Sequence, residues 1–258
     1  LLWVKTHPYC RTVALYLTID QGNSEAKMAL WDDTRLVDFR MEPALKPVRI
    51  SEFVEGHGPL AGAIYCSVAR EDVSVVCHLR HICQHTLRLG PETPIPLIVD
   101  YATPQTLGAD RVAAAVGAWA DHKGHPILVV DAGTAVTYDL VSPAGVYCGG
   151  NIAPGISMNL RALHEFTARL PLVPFPTPMA DLGSQLFGRD TRGAIARGAV
   201  DAVRASIAFY RSRLPEDTVI VLGGGCGRHL ATVCDFPTHV DEHLVSKGLN
   251  RILIYNEP

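Results

Sequence analysis

Two short turn sequences of one type, one in each half of the chain, constrain the fold more than any other feature. Residues 20–24 and residues 131–135 both contain the pattern Asp-x-Gly-[Asn/Thr]. Each turn follows an apolar run, at 13–19 and at 126–130, and precedes a second strand-like run. A single turn of this kind would be an ordinary hairpin turn. Two of them, each behind a buried-type strand, predict two β-hairpins in two similar halves.

The residue types in these turns favour a phosphate-binding site. Glycine lets the backbone turn sharply and brings its N–H groups close to a bound anion. The asparagine or threonine that follows adds a hydrogen-bond donor, and an aspartate beside a phosphate is best explained by a cation. Two such hairpins that face each other would hold a phosphate between them. We therefore expect the two turns to converge on one cleft.

Composition limits the class of protein. The chain has 258 residues, 48% hydrophobic and 19% charged, which suits one large globular domain or two smaller ones. Its net charge of −3 offers no excess of positive charge for a nucleic acid or an anionic membrane. The longest uncharged stretch, 140–160, contains prolines and glycines, so we expect a loop-rich segment and no membrane helix. The N-terminus lacks a signal-peptide layout, and 1–12 is interpreted as a lead-in or a cloning remnant.

The cysteines and histidines form no familiar metal or disulfide pattern. The seven cysteines contain no C-x-x-C pair, so a zinc site or disulfide framework is not expected and a reducing cytoplasm is predicted. His81 with His85, and His239 with His243, have H-x-x-x-H spacing. Neither pair has the glutamate of the H-E-x-x-H motif. We expect surface or structural histidines.

Apolar periodicity predicts alternating strands and helices in each half. In the first half we expect a hairpin within 13–31, strands at 36–40, 63–68 and 96–99, and helices at 73–83 and 112–119. In the second half we expect a hairpin within 126–141, strands at 145–148, 218–222 and 249–255, and helices at 156–168 and 191–213. This order predicts two similar α/β domains, 13–120 and 121–258, with a cleft between them. The proline-rich stretch 171–181 is expected to be a loop and is a candidate to cover the cleft.

Two common phosphate-binding motifs are absent from the sequence. No G-x-x-x-x-G-K-[ST] occurs, which excludes a P-loop enzyme. The glycine run at 223–227 lacks G-x-G-x-x-G spacing and comes late in the chain, which argues against a Rossmann dinucleotide site.

The paired hairpins in duplicated halves resemble those of the actin-like and sugar-kinase superfamily. Within it, the chain resembles the type III pantothenate kinases. The matching motifs lie at 20–24, 107–111, 131–139, 149–155, 167–171, 188–191 and 223–225. This resemblance implies two duplicated actin-like (ribonuclease H-like) domains with a cleft between them. It also implies a homodimer with the substrate pocket at the interface.

The resemblance implies ATP-dependent phosphorylation of pantothenate to 4′-phosphopantothenate, the first step of coenzyme A biosynthesis. One alternative is a catalytically inactive relative that acts as a regulatory or binding protein, but the chain retains Asp20, Asp110, Asp131 and Thr134. The other is a different small-molecule kinase of the superfamily, acting on acetate or a sugar. The segments G-A-D-R and G-G-x-I-x-P-G argue against it because they match the pantothenate kinase pattern.

The resemblance also assigns the substrate and its proton acceptor. Asp110 matches the proton acceptor, and from its reference pKa of about 3.9 we expect it to be ionised at neutral pH. Its alternative is a helix N-terminal aspartate that interacts only with the helix dipole. The residues that match pantothenate contacts are Tyr101, Gly108, Ala109, Arg111 and Thr191. Arg111 could instead be a buried ion-pair partner, and Thr191 a helix N-cap. Thr191 could serve the neighbouring subunit.

The ATP and cation sites follow from the same resemblance. The matches to ATP-binding positions are Asp20, Gly22, Asn23, Ser24, Lys27 and Thr134. Lys27 could alternatively be a solvated strand lysine. Asp131 matches the position that holds a monovalent cation, potassium or ammonium, and magnesium would arrive with ATP. The glycines at 223–225 are expected near the adenosine, although Gly225 and Cys226 stand where the family often has an acidic residue. Asp139 has no assigned role.

Overall fold

The computed structural model of the protein describes residues 15–67, 72–175 and 186–257. The predicted lead-in at 1–12 lies outside these residues. So do the first two residues of the hairpin predicted at 13–31 and the last residue of the strand predicted at 63–68. Of the proline-rich loop, 171–175 is described and has no regular secondary structure, while 176–181 lies outside.

A five-stranded mixed sheet forms the first half. Its strands are β1 Leu15–Gln21, β2 Ala26–Asp32, β3 Arg35–Glu42, β4 Leu60–Ser67 and β5 His85–Arg88. Their spatial order is β3-β2-β1-β4-β5. The pairs β1–β2 and β2–β3 are antiparallel, whereas β1–β4 and β4–β5 are parallel. The predicted hairpin and the strand that extends it are therefore confirmed.

The second sheet repeats the first. Its strands are β6 Ile98–Val99, β7 Ile127–Ala132, β8 Ala135–Val141, β9 Val146–Pro154, β10 Val219–Gly223 and β11 His239–Val240. Its order is β11-β10-β7-β8-β9-β6. The first three strands of the repeat, β7 to β9, are antiparallel, and β10 and β11 follow in parallel. The predicted duplication is confirmed at the level of strand order and direction.

The helices form three layers around the two sheets. They are α1 Pro47–Val54, α2 Val73–Ile82, α3 Ala109–Asp121, α4 Ile156–Glu165, α5 Thr191–Arg211, α6 Gly227–Val233 and α7 Leu244–Tyr255. Helices α1 and α2 pack on the outer face of the first sheet, and α4, α5 and α6 pack on the outer face of the second. Helices α3 and α7 share a core with both sheets and lie between them.

Two glycines allow α3 and α7 to pack backbone against backbone. A Cβ atom on Gly248 of α7 would overlap the carbonyl oxygen of Ala113, and one on Gly117 of α3 would lie 2.5 Å from the carbonyl oxygen of Leu244. Thr18 of β1 and Ser246 of α7 add a buried hydroxyl pair with an oxygen–oxygen distance of 2.6 Å. The last helix of the chain is thereby fixed to the first sheet.

The strand predicted at 249–255 is wrong, because this segment belongs to α7. Its apolar run resembles a buried strand, and such a run cannot be told from a buried helix by hydrophobicity alone. The buried side chains of the helix are spaced by three or four residues along two adjoining rows. These side chains include Leu244, Val245, Leu249, Ile252 and Leu253. A helix packed between two sheets is apolar over much of its surface.

Helices α1 and α6 were not predicted, and further differences concern edges of the sheets. Strand β5 was not predicted, and it separates His85 from His81, which lies on α2, so this pair does not share a helix face. Residues 96–99 were predicted as a buried strand, but β6 is a two-residue edge strand in which Ile98 is 66% exposed. Strand β6 and helix α7 each pack with the opposite half. The domain division at residues 120 and 121 stays a prediction.

The uncharged stretch 140–160 is more regular than predicted. It contains the end of β8, then strand β9, which runs to Pro154 instead of ending near residue 148, and the start of α4. Among the residues that the structure describes, no helix is long and apolar enough to cross a membrane. Within the same residues, no group of three or more His, Cys, Asp or Glu side chains is placed to hold a metal ion.

Candidate active site

A cleft of about 860 Å³ contains both predicted turns. The first turn joins β1 to β2 and the second joins β7 to β8, so the two turns occupy equivalent positions in the two sheets. The hydroxyl oxygens of Ser24 and Thr134 lie 3.1 Å apart, one from each turn. The convergence expected from the sequence is therefore present.

The glycines of the turns have a different role from the one expected. The Gly22 N–H donates to the Glu25 carbonyl oxygen at 3.0 Å, and the Gly133 N–H donates to the Ala135 carbonyl oxygen at 2.9 Å. Both N–H groups are thus used to close the turns and are not directed at a ligand. Among the turn side chains, the Ser24 and Thr134 hydroxyls are the donors that face each other across the cleft.

The cleft contains eight of the thirteen predicted site residues. They are Asp20, Gly22, Asn23, Ser24, Lys27, Asp110, Asp131 and Thr134. The other five do not line it. They are Tyr101, Gly108, Ala109, Arg111 and Thr191. The predicted ATP positions, the predicted base and the predicted cation ligand are therefore together, and the predicted pantothenate positions lie outside this cavity.

Buried carboxylates dominate the electrostatics of the cleft. Burial raises the pKa of Asp20 to about 7; Lys27 lowers that pKa, while Asp131 and Asp110 raise it. Burial likewise raises the pKa of Asp131 to about 6, against the effect of Lys27. Lys27 lies directly opposite Asp20 across the β1–β2 hairpin. Its positive charge therefore acts on both Asp20 and Asp131, which argues against a fully solvated strand lysine.

The second hairpin has no lysine at the equivalent place. Thr137 lies opposite Asp131 across the β7–β8 pair. Its side chain is 8% exposed, and its hydroxyl oxygen has no hydrogen-bond partner among the described residues. Asp131 and Thr137 therefore present oxygen atoms to the cleft, and the second hairpin contributes no fixed positive charge of its own beside them.

Asp110 lies in the first turn of α3, and its carboxylate Oδ1 accepts a hydrogen bond from the Arg111 backbone N–H at 2.8 Å. Burial raises its pKa, while that hydrogen bond and the charge of Arg111 lower it. The reference value used for the sequence therefore understates its pKa. Asp110 lies at the N-terminus of a helix and also lines the cleft. It can therefore interact with the helix dipole and also act as a proton acceptor.

Arg111 is a buried ion-pair partner. Its side chain donates to Asp139 Oδ1 from Nε at 3.0 Å and from Nη2 at 2.5 Å, and Tyr147 Oη donates to the same oxygen at 2.6 Å. Burial opposes the charge of Arg111, but the bond to Asp139 more than compensates and raises its pKa. The Tyr101 ring lies beside the guanidinium, with its centroid 5.9 Å from Cζ. Asp139, to which the sequence assigned no role, is therefore the buried acceptor for Arg111 and Tyr147.

Thr191 begins α5 at an exposed position, away from the cleft. The N-cap of α5 is Asp190, whose carboxylate accepts a hydrogen bond from the Gly193 N–H at 2.9 Å. The N-cap role considered for Thr191 is therefore wrong, because the preceding aspartate fills it. The Thr191 hydroxyl remains available for another contact.

One wall of the cleft was not predicted. It comprises Met158, Arg161 and Phe166 from α4 and the residue after it, with Phe175 from the following loop. Arg161 pairs with Glu165 one turn later, at 2.9 Å. The only sequence signal was the position of α4 directly after the motif at 149–155. Gly224 and Gly225, expected near the nucleotide, do line the cleft. A Cβ atom on Gly224 would lie 2.5 Å from the Ala132 carbonyl oxygen and 2.6 Å from Asp131 Oδ1.

Comparison with known proteins decides the family. The family model described as type III pantothenate kinase matches residues 16–212. The chain belongs to the type III pantothenate kinase family. Among curated relatives, the type III pantothenate kinase of Bacteroides fragilis is 39% identical over 244 residues, covering 93% of this chain and 98% of the relative. That of Porphyromonas gingivalis is 37% identical over 243 residues, with the same coverage.

Solved structures place this type III pantothenate kinase among the actin-like and sugar-kinase folds. A conserved protein from Campylobacter jejuni, described as a candidate Baf family transcriptional activator, superposes with a TM-score of 0.60 at 23% identity, covering 93% of this chain and 98% of that one. A candidate N-acetylmannosamine kinase from Listeria monocytogenes gives 0.56 at 11% identity, with coverage of 95% and 100%. These likenesses concern the fold alone. The predicted fold class and family are confirmed.

Proposed function

We propose that this chain transfers the γ-phosphate of ATP to the 4′-hydroxyl of pantothenate, the first step of coenzyme A biosynthesis. The observation that carries the proposal is the meeting of two equivalent turns at Ser24 and Thr134, in a cleft that also contains Asp110. Membership of the type III pantothenate kinase family supports the choice of acceptor. The match to nearly the full length of the relatives supports the complete reaction.

We assign the triphosphate to the two turns. The residues concerned are Asp20, Gly22, Asn23, Ser24, Lys27 and Thr134. The hydroxyls of Ser24 and Thr134 would each donate to a phosphate oxygen once the ligand replaces their mutual contact. Lys27 would neutralise phosphate charge from the position it already holds beside the two buried aspartates. Such positioning and charge neutralisation supply most of the catalysis in phosphoryl transfer.

The charge of the cleft requires cations to accompany ATP. Its described lining carries five carboxylate side chains and two basic ones, and Arg161 is already paired with Glu165. A polyanionic triphosphate would meet net repulsion there. Magnesium bound to the phosphates reduces that repulsion and keeps several of its own waters. We therefore propose that the nucleotide enters as its magnesium complex.

A monovalent cation, potassium or ammonium, fits beside Asp131. The donor set is the half-buried carboxylate of Asp131 and the unpartnered hydroxyl oxygen of Thr137, and both line the cleft. Oxygen ligands of this kind suit a hard cation. The equivalent position in the first half is filled by the ammonium of Lys27 opposite Asp20. A bound cation would supply fixed positive charge on the side of the cleft that lacks a lysine.

Asp110 is proposed as the base that accepts the proton of the pantothenate hydroxyl. It faces the cleft from the start of α3, close to the turns that would hold the γ-phosphate. A raised pKa makes its carboxylate a better proton acceptor than an ordinary aspartate, provided that it is ionised when the substrate binds. The protein needs no nucleophilic side chain because the hydroxyl of pantothenate is the nucleophile.

We place pantothenate at the N-terminal end of α3. The residues concerned are Tyr101, Gly108, Ala109 and Arg111. The guanidinium fork of Arg111 is already bound to Asp139, so a substrate carboxylate would use its remaining donors. Gly108 has room for no side chain, because its Cβ would lie 2.5 Å from Asp110 Oδ1.

Thr191 is proposed to contact pantothenate in the neighbouring subunit of a homodimer. It is exposed and does not line the cleft of its own chain. Two large apolar side chains precede it, Leu186 at 66% and Phe187 at 78% exposure. Exposed apolar side chains close together are typical of a surface that meets another protein.

We propose a cytoplasmic location. The reaction consumes ATP, and the six cysteines within the described residues are free thiols. Free thiols are the usual state of cysteine in a reducing compartment.

A coupled assay of ADP release tests the proposed reaction. Purified protein with magnesium, potassium and ATP should release ADP with pantothenate and not with acetate or common sugars. No turnover with any acceptor would favour a binding or regulatory protein. Faster turnover with acetate or a sugar than with pantothenate would identify a different kinase of the superfamily.

A further inference from the structure

The pair of Arg111 and Asp139 joins two parts of the site that are distant in the chain. Arg111 lies on α3, directly after the proposed base, and Asp139 lies on β8 of the second sheet. Arg111 is 5% exposed and Asp139 is fully buried. Two bonds from the guanidinium and one from Tyr147 converge on Asp139 Oδ1. This is the connection that fixes the first turn of α3 to the strand that follows the second phosphate turn.

The pair is held in a space that only glycine leaves open. Gly150 lies opposite Asp139 in the β8–β9 ladder. A Cβ atom there would overlap Asp139 Oδ1 and the Tyr138 carbonyl oxygen, and it would lie 2.7 Å from Arg111 Nη2. A side chain at position 150 would therefore displace the carboxylate, the guanidinium or both. The second glycine of the motif at 149–155 is thereby explained by an ion pair and not by a ligand.

Burial makes the arrangement specific. A buried ion pair contributes little stability compared with apolar residues of the same size, because both charges lose their hydration. Its clearest benefit is a fixed geometry. Here the ion pair fixes the position of the Arg111 side chain and, through the backbone, the position of the adjacent Asp110. The rings of Tyr101 and Tyr147 lie beside the same guanidinium, with centroids 5.9 and 6.0 Å from Cζ.

We propose that Asp139 is a positioning residue for phosphoryl transfer that acts through Arg111, and that Gly150 is required because it leaves space for this pair. The proposal rests on the proposed function, in which Arg111 contacts pantothenate and Asp110 accepts its proton. Asp139 itself touches neither substrate. Its loss should therefore weaken use of pantothenate and leave the binding of ATP nearly unchanged.

The test compares the wild type with Asp139→Asn and Gly150→Ala. Asn keeps the shape of Asp and removes the charge, and Ala adds the Cβ that the pair excludes. Both variants should raise the KM for pantothenate or lower kcat, with a loss of about tenfold or more in kcat/KM, since small displacements of substrate-positioning groups carry costs of this order. The KM for ATP should change by less than about twofold, as expected for a group that does not contact the nucleotide.

A matched control and a double variant make the result specific. Gly198→Ala on α5 is the control, because a Cβ there meets nothing within 4 Å; it should behave as the wild type. Asp139→Asn combined with Arg111→Lys should lose no more than the stronger single variant, because residues acting as one unit are not additive. A rise in the KM for ATP as large as that for pantothenate, wild-type kinetics in Asp139→Asn, or additive losses in the double variant would overturn the proposal.

Two further measurements keep the test independent of folding and of the acceptor. If Asp139→Asn is unfolded, Tyr147→Phe removes only the hydroxyl bond to Asp139 and should give a smaller loss of the same selectivity; wild-type kinetics in it would count against the proposal. Hydrogen exchange of residues 108–113 without ligand should increase in Asp139→Asn and not in Gly198→Ala. Unchanged hydrogen exchange in Asp139→Asn would overturn the positioning role, whatever the activity of the wild type. Failure of the wild type to phosphorylate pantothenate would reject only the proposed function.

Discussion

Ser24 and Thr134 come from opposite halves of the chain, and their hydroxyl oxygens lie 3.1 Å apart. Thr134 directly follows Gly133, and Ser24 comes two residues after Gly22; the N–H of each glycine closes its own turn. The hydroxyls are thus held at the meeting point of two sheets that have the same strand order. A ligand bound between the sheets has to interact with both.

Removing either hydroxyl should weaken the use of ATP. We expect Ser24→Ala and Thr134→Ala each to raise the KM for ATP by about tenfold, because a hydrogen bond to a charged phosphate contributes about 1.5–3 kcal/mol. The KM for pantothenate should change much less. Steady-state kinetics with each substrate varied in turn measure both effects. Ser212→Ala, an exposed serine at the end of α5, serves as the control. An unchanged KM for ATP in both variants would remove the turns from the nucleotide site.

Replacing Asp110 by Asn should abolish turnover and preserve the fold. General base catalysis contributes about a hundredfold to ten-thousandfold in rate, so a loss in kcat of that size is expected. Nucleotide affinity, measured by fluorescence titration with an ATP analogue, should stay close to that of the wild type. Asp217→Asn changes an exposed aspartate before β10 and controls for the loss of one charge. A fully active Asp110→Asn enzyme would refute the role of Asp110 as base.

Turnover should depend on a monovalent cation that is bound near Asp131. In sodium or choline chloride of equal ionic strength, activity should fall by at least about tenfold relative to potassium or ammonium, because fixed positive charge at developing negative charge is a large part of catalysis. Thr137→Val should raise the potassium concentration needed for half activity. Activity that is independent of the cation in the wild type would show that Asp131 holds no such ion.

In the ligand-free protein, the contribution of Asp20 to the free energy of unfolding should decrease as the pH rises. The pKa of Asp20 is about 7 in the folded protein, against 3.8 when unperturbed. Between these pH values the folded state binds more protons than the unfolded state, so its stability falls as pH rises through this range and the loss is complete above pH 7. Each pKa unit corresponds to about 1.4 kcal/mol.

Comparison of Asp20→Asn with the wild type isolates this term. The variant should be more stable than the wild type at pH 8, by up to a few kcal/mol. The difference should be much smaller at pH 4, where the aspartate is protonated in the folded state and only partly ionised in the unfolded state. Urea unfolding at the two pH values gives the difference, with Asp217→Asn as the exposed control. A difference of the same size at both pH values would contradict the raised pKa.

The shared pocket proposed for the homodimer predicts complementation between inactive subunits. Asp110→Asn and Thr191→Ala should both be nearly inactive alone. In a dimer of one of each, one site combines the intact Asp110 of one subunit with the intact Thr191 of the other. Each mixed dimer has one intact site of two, so a fraction made of mixed dimers alone should have about half of the wild-type activity per dimer. Co-expression with two different tags and assay of the doubly purified fraction measures this; activity no higher than that of the parents would place Thr191 outside the neighbour's pocket.

The sequence predicted the turns well because their constraint is local. Asp-x-Gly patterns behind apolar runs determine a hairpin within a few residues, and the duplicated order of such runs predicts the repeated sheet. Helix α7 could not be predicted in this way. Its segment is apolar on most sides because it lies between two sheets, and that burial depends on the tertiary structure.

The sequence predicted those residues of the site that lie within short motifs, and it missed the others. A buried ion pair was an open alternative for Arg111, but its partner Asp139 was not identified because no local pattern joins α3 to β8. The wall formed by α4 was missed because Met158, Arg161 and Phe166 are ordinary residues of an amphipathic helix. The raised pKa values of Asp20 and Asp131 depend on burial, which a sequence does not give.

The packing of strand β6 and helix α7 with the opposite halves has a consequence for dividing the molecule into fragments. Leu253 of α7 contacts the first sheet near Gly62, and Val99 of β6 pairs with the second sheet. A fragment cut after α3 would lack the cover of one sheet face and would carry away an edge of the other. The two halves, although similar in architecture, should therefore not fold as separate recombinant fragments. An ancestral protein with a single copy of this architecture would have needed a second copy of itself to fold.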